Sequence, residues 1–281
     1  MISSAFSKKI EKQSESYSKT KPLFHLADGT NKNRGTIMKP VYTQNITIET
    51  ADVDRFGRLK PAMLLHYIQE VSGIHGSAIG VGHRALAERN LFWAVLRTRV
   101  QITRLPKVNE TIRLETWPMP VTRASYPRSV IAYDGAGTEI FRAISLWVLM
   151  DQTTRLMVLP AKSGLDFEGL LTGSELATPA SLPPRILDKA SRRTVCFSDL
   201  DRNGHMNNAR YFEWIYDLLP SSFHENHTPR EMTICYLSEA LEGETLTMNW
   251  DVQGDVMQIE ATRPDTRSEN HHRVFAARIQ F

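Results

Sequence analysis

From Val41 the chain alternates polar and apolar positions, and residues 42–49 read as a half-buried strand. Pro61 then stands where a helix begins, with Met63, Leu64, Tyr67, Ile68 and Val71 at helical spacing behind it. Strand-like runs follow near residues 92–102, 111–117, 128–133 and 140–149. The cluster Asp134-Gly135-Ala136-Gly137 marks a hairpin between the last two. One helix followed by consecutive antiparallel strands predicts a curled sheet wrapped around a central helix, an α+β pattern rather than a βαβ one.

The plan then repeats. Residues 161–192 hold much proline and glycine and little periodicity, which predicts a linker. Beyond it come a strand near residues 194–197, a helix over about 208–218, and strands near 232–237, 244–252, 257–262 and 273–281. The local sequence repeats as well: Asp52-Val53-Asp54-Arg55-Phe56-Gly57-Arg58 returns as Asp199-Leu200-Asp201-Arg202-Asn203-Gly204-His205. Glu110-Thr111 matches Glu244-Thr245 and Phe141-Arg142-Ala143 matches Phe275-Ala276-Ala277, both at one offset. The chain reads as a duplication in which only the second copy kept an amide and an imidazole. Four segments result: a leader over residues 1–38, a first domain over 39–160, the linker over 161–192 and a second domain over 193–281.

Charge narrows the partners. The net charge of +3 sits in the leader, where seven Lys/Arg face three Asp/Glu, leaving 27 basic against 28 acidic side chains elsewhere. A neutral body without a basic stripe argues against nucleic acid as the main ligand, while a local basic patch suits an acidic protein. No apolar run is long enough to span a bilayer, so stable membrane insertion is not expected. Cys196 and Cys235 lack any ligand spacing and read as buried free thiols in a reducing compartment, hence a cytoplasmic location. The Ser- and Lys-rich leader reads either as an upstream misassigned start or as a plastid-type targeting peptide.

Chemistry points to the second motif. Asp201, Asn203 and His205 are two apart, so an extended backbone would turn a carboxylate, an amide and an imidazole to one face. Asn207 or Asn208 is placed to cap the following helix, whose N-terminal N–H groups suit an oxyanion. Tyr211, Phe212, Trp214 and Tyr216 continue that helix and read as core.

The stretch Asp199-Leu200-Asp201-Arg202-Asn203-Gly204-His205-Met206-Asn207-Asn208 closely resembles the Asp-Leu-Asp-x-Asn-x-His-x-Asn-Asn signature of acyl-ACP thioesterases of plants and bacteria. The resemblance extends to Trp93-Ala94-Val95-Leu96-Arg97, Glu115-Thr116-Trp117-Pro118 and Ser145-Leu146-Trp147-Val148-Leu149-Met150-Asp151 with Thr153-Thr154-Arg155. It implies a tandem (double) hotdog fold and hydrolysis of the thioester joining a fatty acyl chain to acyl carrier protein, with no cofactor and no metal. It further implies catalytic roles for Asp201, Asn203, His205 and an acid in a later strand, here Glu239, with Ala240 where plant members often carry Cys. Such an acid in a partly apolar tunnel would act as general base or as nucleophile. The first copy would be catalytically silent and would shape an acyl tunnel with Met63, Leu64, Tyr67 and Ile68, which ordinary core packing explains equally well.

Other signals carry less. Gly80-Val81-Gly82-His83-Arg84-Ala85 follows a helix rather than a strand and so fails as a dinucleotide fingerprint. His224, His227, His271 and His272 read as solvated. Two rivals remain, a hotdog acyl-CoA thioesterase and a non-catalytic acyl-binding protein. Either a monomer or a homodimer fits, since two hotdog units already pair within the chain.

Overall fold

The computed structural model describes residues 40–264 and 271–281, all within one compact unit, Met38–Phe281. The leader expected over residues 1–38 lies outside the described residues. Strand β1 (Tyr42–Thr47) half-buries alternate residues and leads to helix α1 (Pro61–Ala78) and the short α2 (His83–Ala87). Then come β2 (Leu91–Ile102), β3 (Thr111–Pro118), β4 (Tyr126–Tyr133), β5 (Glu139–Asp151) and β6 (Met157–Val158). After the short α3 (Pro160–Ser163) follow β7 (Lys189–Thr194), α4 (Arg210–Tyr216), α5 (Ser221–Asn226), β8 (Glu231–Tyr236), β9 (Thr245–Gln253), β10 (Val256–Pro264) and β11 (His271–Gln280). Among the described residues, no helix is long and apolar enough to cross a membrane.

Pro61 occupies the first turn of α1, where its missing N–H costs nothing. The helix buries Leu64, Leu65, Ile68, Val71, Ser72 and His75, and it stops where Gly80 takes φ 79°. Returning the chain at that φ is a glycine property. The 134–137 cluster forms its hairpin because the Asp134 carboxylate accepts the N–H groups of Ala136 and Thr138 and Gly137 adopts φ 82°.

All pairings are antiparallel and the sheet order is β1-β3-β4-β5-β2-β8-β11-β10-β9-β7, with β6 added on β5. Each half contributes five strands in mirrored order, and the two meet where β2 pairs β8, from Arg97↔Cys235 to Gln101↔Glu231. Arg99 faces Thr233 there, and these two are separated by the same offset as Glu110 and Glu244. Equivalent strands therefore pair about a pseudo-twofold axis. Arg99 and Gln101 both donate to Glu231 across this seam. One apolar core, including Leu64, Ile68, Phe141, Phe212, Phe275 and Ile279, runs through both halves.

Three expectations are corrected. Of the strand predicted near 194–197 only Thr194 is in a strand: β7 runs upstream over Lys189–Thr194, beginning inside the predicted linker, and a 3-10 turn starts at Phe197. β7 is an edge strand of Lys, Ser, Arg and Thr with a single Ala, a composition that protects an edge from further pairing and hides it from hydrophobic pattern reading. The second helix is two residues late and two short, and α5, which follows Pro220, was not foreseen. His224 and His227 are packed rather than solvated: His224 stacks on Tyr216 and bonds its carbonyl at 2.9 Å, and His227 stacks on Phe223. The histidine pair at 271–272 borders residues outside the described set.

Residues 164–188 have no helix or strand but are tied down. Leu165 and Phe167 pack with Trp93, Tyr126 and Trp147, and Arg142, Arg97 and Arg273 donate to the carbonyls of Ser174, Pro179 and Leu182.

Candidate active site

The two motif copies fold alike. Asp201 Oδ1 accepts the N–H groups of Asn203 at 2.8 Å and His205 at 3.2 Å, while Asp201 N–H donates to the His205 carbonyl at 2.7 Å. Asp54 makes the corresponding bonds to Phe56, Arg58 and the Arg58 carbonyl. Gly57 and Gly204 close these turns at φ 72° and 77°. The expected extended backbone is thus a tight turn. Asp201 builds it, and its Oδ2 accepts the Asn203 amide at 3.2 Å. In the first copy Arg58, instead of an imidazole, pairs with Asp54 and donates to the His224 carbonyl and Thr228 hydroxyl of the second half.

The turn delivers His205 to Glu239. His205 forms a bridge with Leu241, and Met206 N–H bonds the Ala240 carbonyl at 2.9 Å. This clip sets Glu239 Oε2 3.5 Å from His205 Nε2. Glu239 lies in the loop after β8 and not in a strand, as the resemblance implied. The same clip buries Ala240. The Glu239 side chain is 48% exposed, not enclosed in an apolar tunnel, and its carboxylate ends between Arg155 and His205.

Arg155 is the residue that sequence reasoning left unassigned. It sits in the β5–β6 turn at φ 58°, stacks its guanidinium over Phe92 at 4.6 Å and donates to Glu239 Oε1. Arg263 braces the same loop through the Glu239 carbonyl, the Ser238 hydroxyl and Glu244. The only sequence signal for Arg155 was its place in Thr153-Thr154-Arg155. The first half therefore supplies a charge to a site whose carboxylate and imidazole come from the second.

The helix start after the motif offers fewer donors than expected. Asn207 Oδ1 accepts the Ala209 N–H at 2.9 Å, its carbonyl accepts that of Arg210 and the Ala209 carbonyl that of Phe212. Tyr211, Phe212 and Trp214 are buried core, as read from sequence. Cys235 is buried, its thiol pushed up by burial, whereas Cys196 is exposed, against the expectation of two buried thiols. Cys196 opens the 3-10 turn, where its backbone N–H is held by Asp199.

Of the expected tunnel residues, Leu64 and Ile68 are fully buried in the main core, Met63 packs against it, and Tyr67 donates to Asp52 at 2.7 Å. None of the four lines the large cavity of the first half. That cavity, about 370 Å³, lies against the next turns of α1, at Gln69, Ser72, Gly73, Gly76 and Ser77, with Trp93, Trp147 and Arg128 opposite. Its lining includes none of Phe92, Arg155, His205 or Glu239; Trp93, the neighbour of Phe92 on β2, lines it.

Comparison with known proteins gives a concordant picture. Residues 39–160 match the acyl-ACP thioesterase N-terminal domain and residues 187–281 match the acyl-ACP thioesterase C-terminal domain. A palmitoyl-acyl carrier protein thioesterase, chloroplastic, of Gossypium hirsutum is 26% identical over 245 residues, 82% of this chain and 57% of its own length. The chain spans about half the length of the curated relatives it matches. The crystal structure of an acyl-ACP thioesterase from Bacteroides thetaiotaomicron superimposes with a TM-score of 0.75 at 26% identity, covering 86% of this chain and 98% of that one. A 12:0-ACP thioesterase from Umbellularia californica shares the fold, with a TM-score of 0.72 at 22% identity over 86% of this chain and 97% of its own.

Proposed function

As the chain belongs to the acyl-ACP thioesterase family, with a double hotdog fold, we propose that it hydrolyses the thioester of fatty acyl chains carried on acyl carrier protein, releasing the free fatty acid. The observation that carries this reading is the 3.5 Å approach of Glu239 to His205, two residues far apart in sequence clipped together by backbone pairing. Glu239 is the group that activates water or itself attacks the carbonyl carbon. His205 and Asn203 orient and polarise the carbonyl, and Asp201 holds both through its turn. Arg155 keeps the carboxylate aimed at His205. The second domain then carries the chemistry. The first contributes Arg155 and the cavity along α1, which takes over the acyl-binding role expected of Met63, Leu64, Tyr67 and Ile68.

The carrier would dock over this site. Leu156, next to Arg155, and Leu237 and Leu241, on either side of Glu239, are exposed apolar residues, a surface suited to an apolar contact with the carrier. Pairing of the two halves at β2 and β8 makes a single chain sufficient for the reaction. Cytoplasmic residence belongs to the same reading and is supported by two free cysteines.

Turnover of acyl-ACP by Glu239→Gln and His205→Ala tests the assignment. Each should lose on the order of 10²–10⁴ in rate. Wild-type turnover in both would sink it. Parallel kinetics on one acyl chain carried by acyl carrier protein and by CoA assign the carrier.

A further inference from the structure

The cavity along α1 is apolar over most of its wall, yet one side is built around a cation. Arg128, on β4, is a lining residue and is only 9% exposed. Among the described residues no carboxylate pairs with it. Its Nη1 donates to His75 Nδ1 at 3.0 Å and to Thr116 Oγ1 at 3.3 Å, and among the described residues no protein acceptor serves its Nε or Nη2. Burial pushes the guanidinium down to about 10, which leaves it charged at neutral pH. A buried charge without a counter-ion is costly, and this guanidinium finds its missing acceptor only when a ligand in the cavity brings one.

Taking the hydrolase reading above as given, we propose that this cavity is a subsite for an acyl chain bearing an oxygen function, hydroxyl, keto or carboxylate, far from the thioester, with Arg128 donating to that oxygen. The register sets the distance. Arg128 pairs with Ser145 and Ser145 with Thr98, so it lies two strands across from β2 and six residues along from Phe92, where the polar site begins. At about 3.3 Å per residue and about 4.8 Å between strands, that separation is roughly 20 Å between backbones. An oxygen near the thioester would not reach the guanidinium, whereas one on the distal half of a long chain does.

The test walks a hydroxyl along the distal half of one acyl chain on acyl carrier protein, adds the ω-carboxyl analogue, and compares kcat/KM with the saturated chain. One or more oxygenated chains should be preferred by on the order of 10–10²-fold, the range for a hydrogen bond to a charged group. The preference should fall towards one in Arg128→Met and survive in part in Arg128→Lys. No preference in the wild type, or one unchanged in the methionine variant, overturns the proposal. Should Arg128→Met fail to fold by melting curve, the wild-type ratio and the lysine variant decide. Calorimetry of the matching free hydroxy and saturated fatty acids with the full chain separates the two readings. Arg128-dependent binding of the hydroxy acid without hydrolysis of any acyl-ACP would leave the subsite standing and remove the hydrolase. Equal binding of both acids would remove the subsite.

Discussion

Replacing Arg155 by alanine should separate activity from stability. The Arg155–Glu239 pair is solvent-accessible, 41% and 48% exposed, so its loss should cost the fold at most about 1 kcal/mol. In a chain of this size that moves Tm by roughly 4 °C or less. Activity should respond more strongly. Arg155 on Oε1 and His205 on Oε2 hold the carboxylate from both sides, and removing the stronger anchor returns Glu239 most of its rotamer freedom, worth up to about 1.5–2 kcal/mol. At about 1.36 kcal/mol per decade, kcat should fall roughly 10–30-fold with little change in KM. Fatty-acid release from acyl-ACP gives the kinetics and calorimetry gives Tm, with Arg155→Lys as a partial rescue because lysine keeps the charge but not the planar stack on Phe92. Wild-type kcat in Arg155→Ala, or a loss of activity matched by a large fall in Tm, would refute the reasoning.

Three further outcomes follow from the packing and charges. Arg58→Ala removes bonds to His224 and Thr228 and should cost about 1–3 kcal/mol in chemical denaturation while turnover per folded molecule stays near wild type. Phe212→Ala opens a hole in a fully buried position and should cost about 3–5 kcal/mol, read as a lower denaturation midpoint at unchanged slope. Arg104 holds the Glu110 carboxyl below its ordinary 4.5, so this contribution is complete above that value and is lost as pH falls through the lowered one. Glu110→Gln should therefore flatten the acid limb of a stability-versus-pH curve, and an unaltered limb would dismiss the pair as a source of acid sensitivity.

The sheet was legible because its strands carry strong period-two or continuous apolar patterns, as in β2, β5 and β11. β7 was not, because its side chains answer to solvent and to edge protection rather than to the core. Asp201, Asn203 and His205 could be picked out since three polar groups in five residues exceed what a turn needs. Their convergence was misread in mechanism, for it comes from an Asp-closed turn and not from an extended strand. Arg155 and Arg128 could not be seen. Each matters through partners brought close only by folding, Glu239 in one case and a cavity in the other. Periodicity likewise marked Leu64 and Ile68 as facing inward, but it cannot say which part of an inward face meets atoms and which meets empty space.

A sheet whose strand order is a palindrome, with equivalent strands meeting on its axis, is the shape that two identical subunits make when they join edge to edge. Identical subunits must change together, whereas fused ones diverge independently. Here one half has turned its motif into a brace, Arg58 on His224, and lends Arg155 to the other's chemistry. The partnership is then irreversible: a cut between residues 164 and 188 followed by separation would leave two bare strand edges prone to aggregate, and neither fragment would hold a whole site.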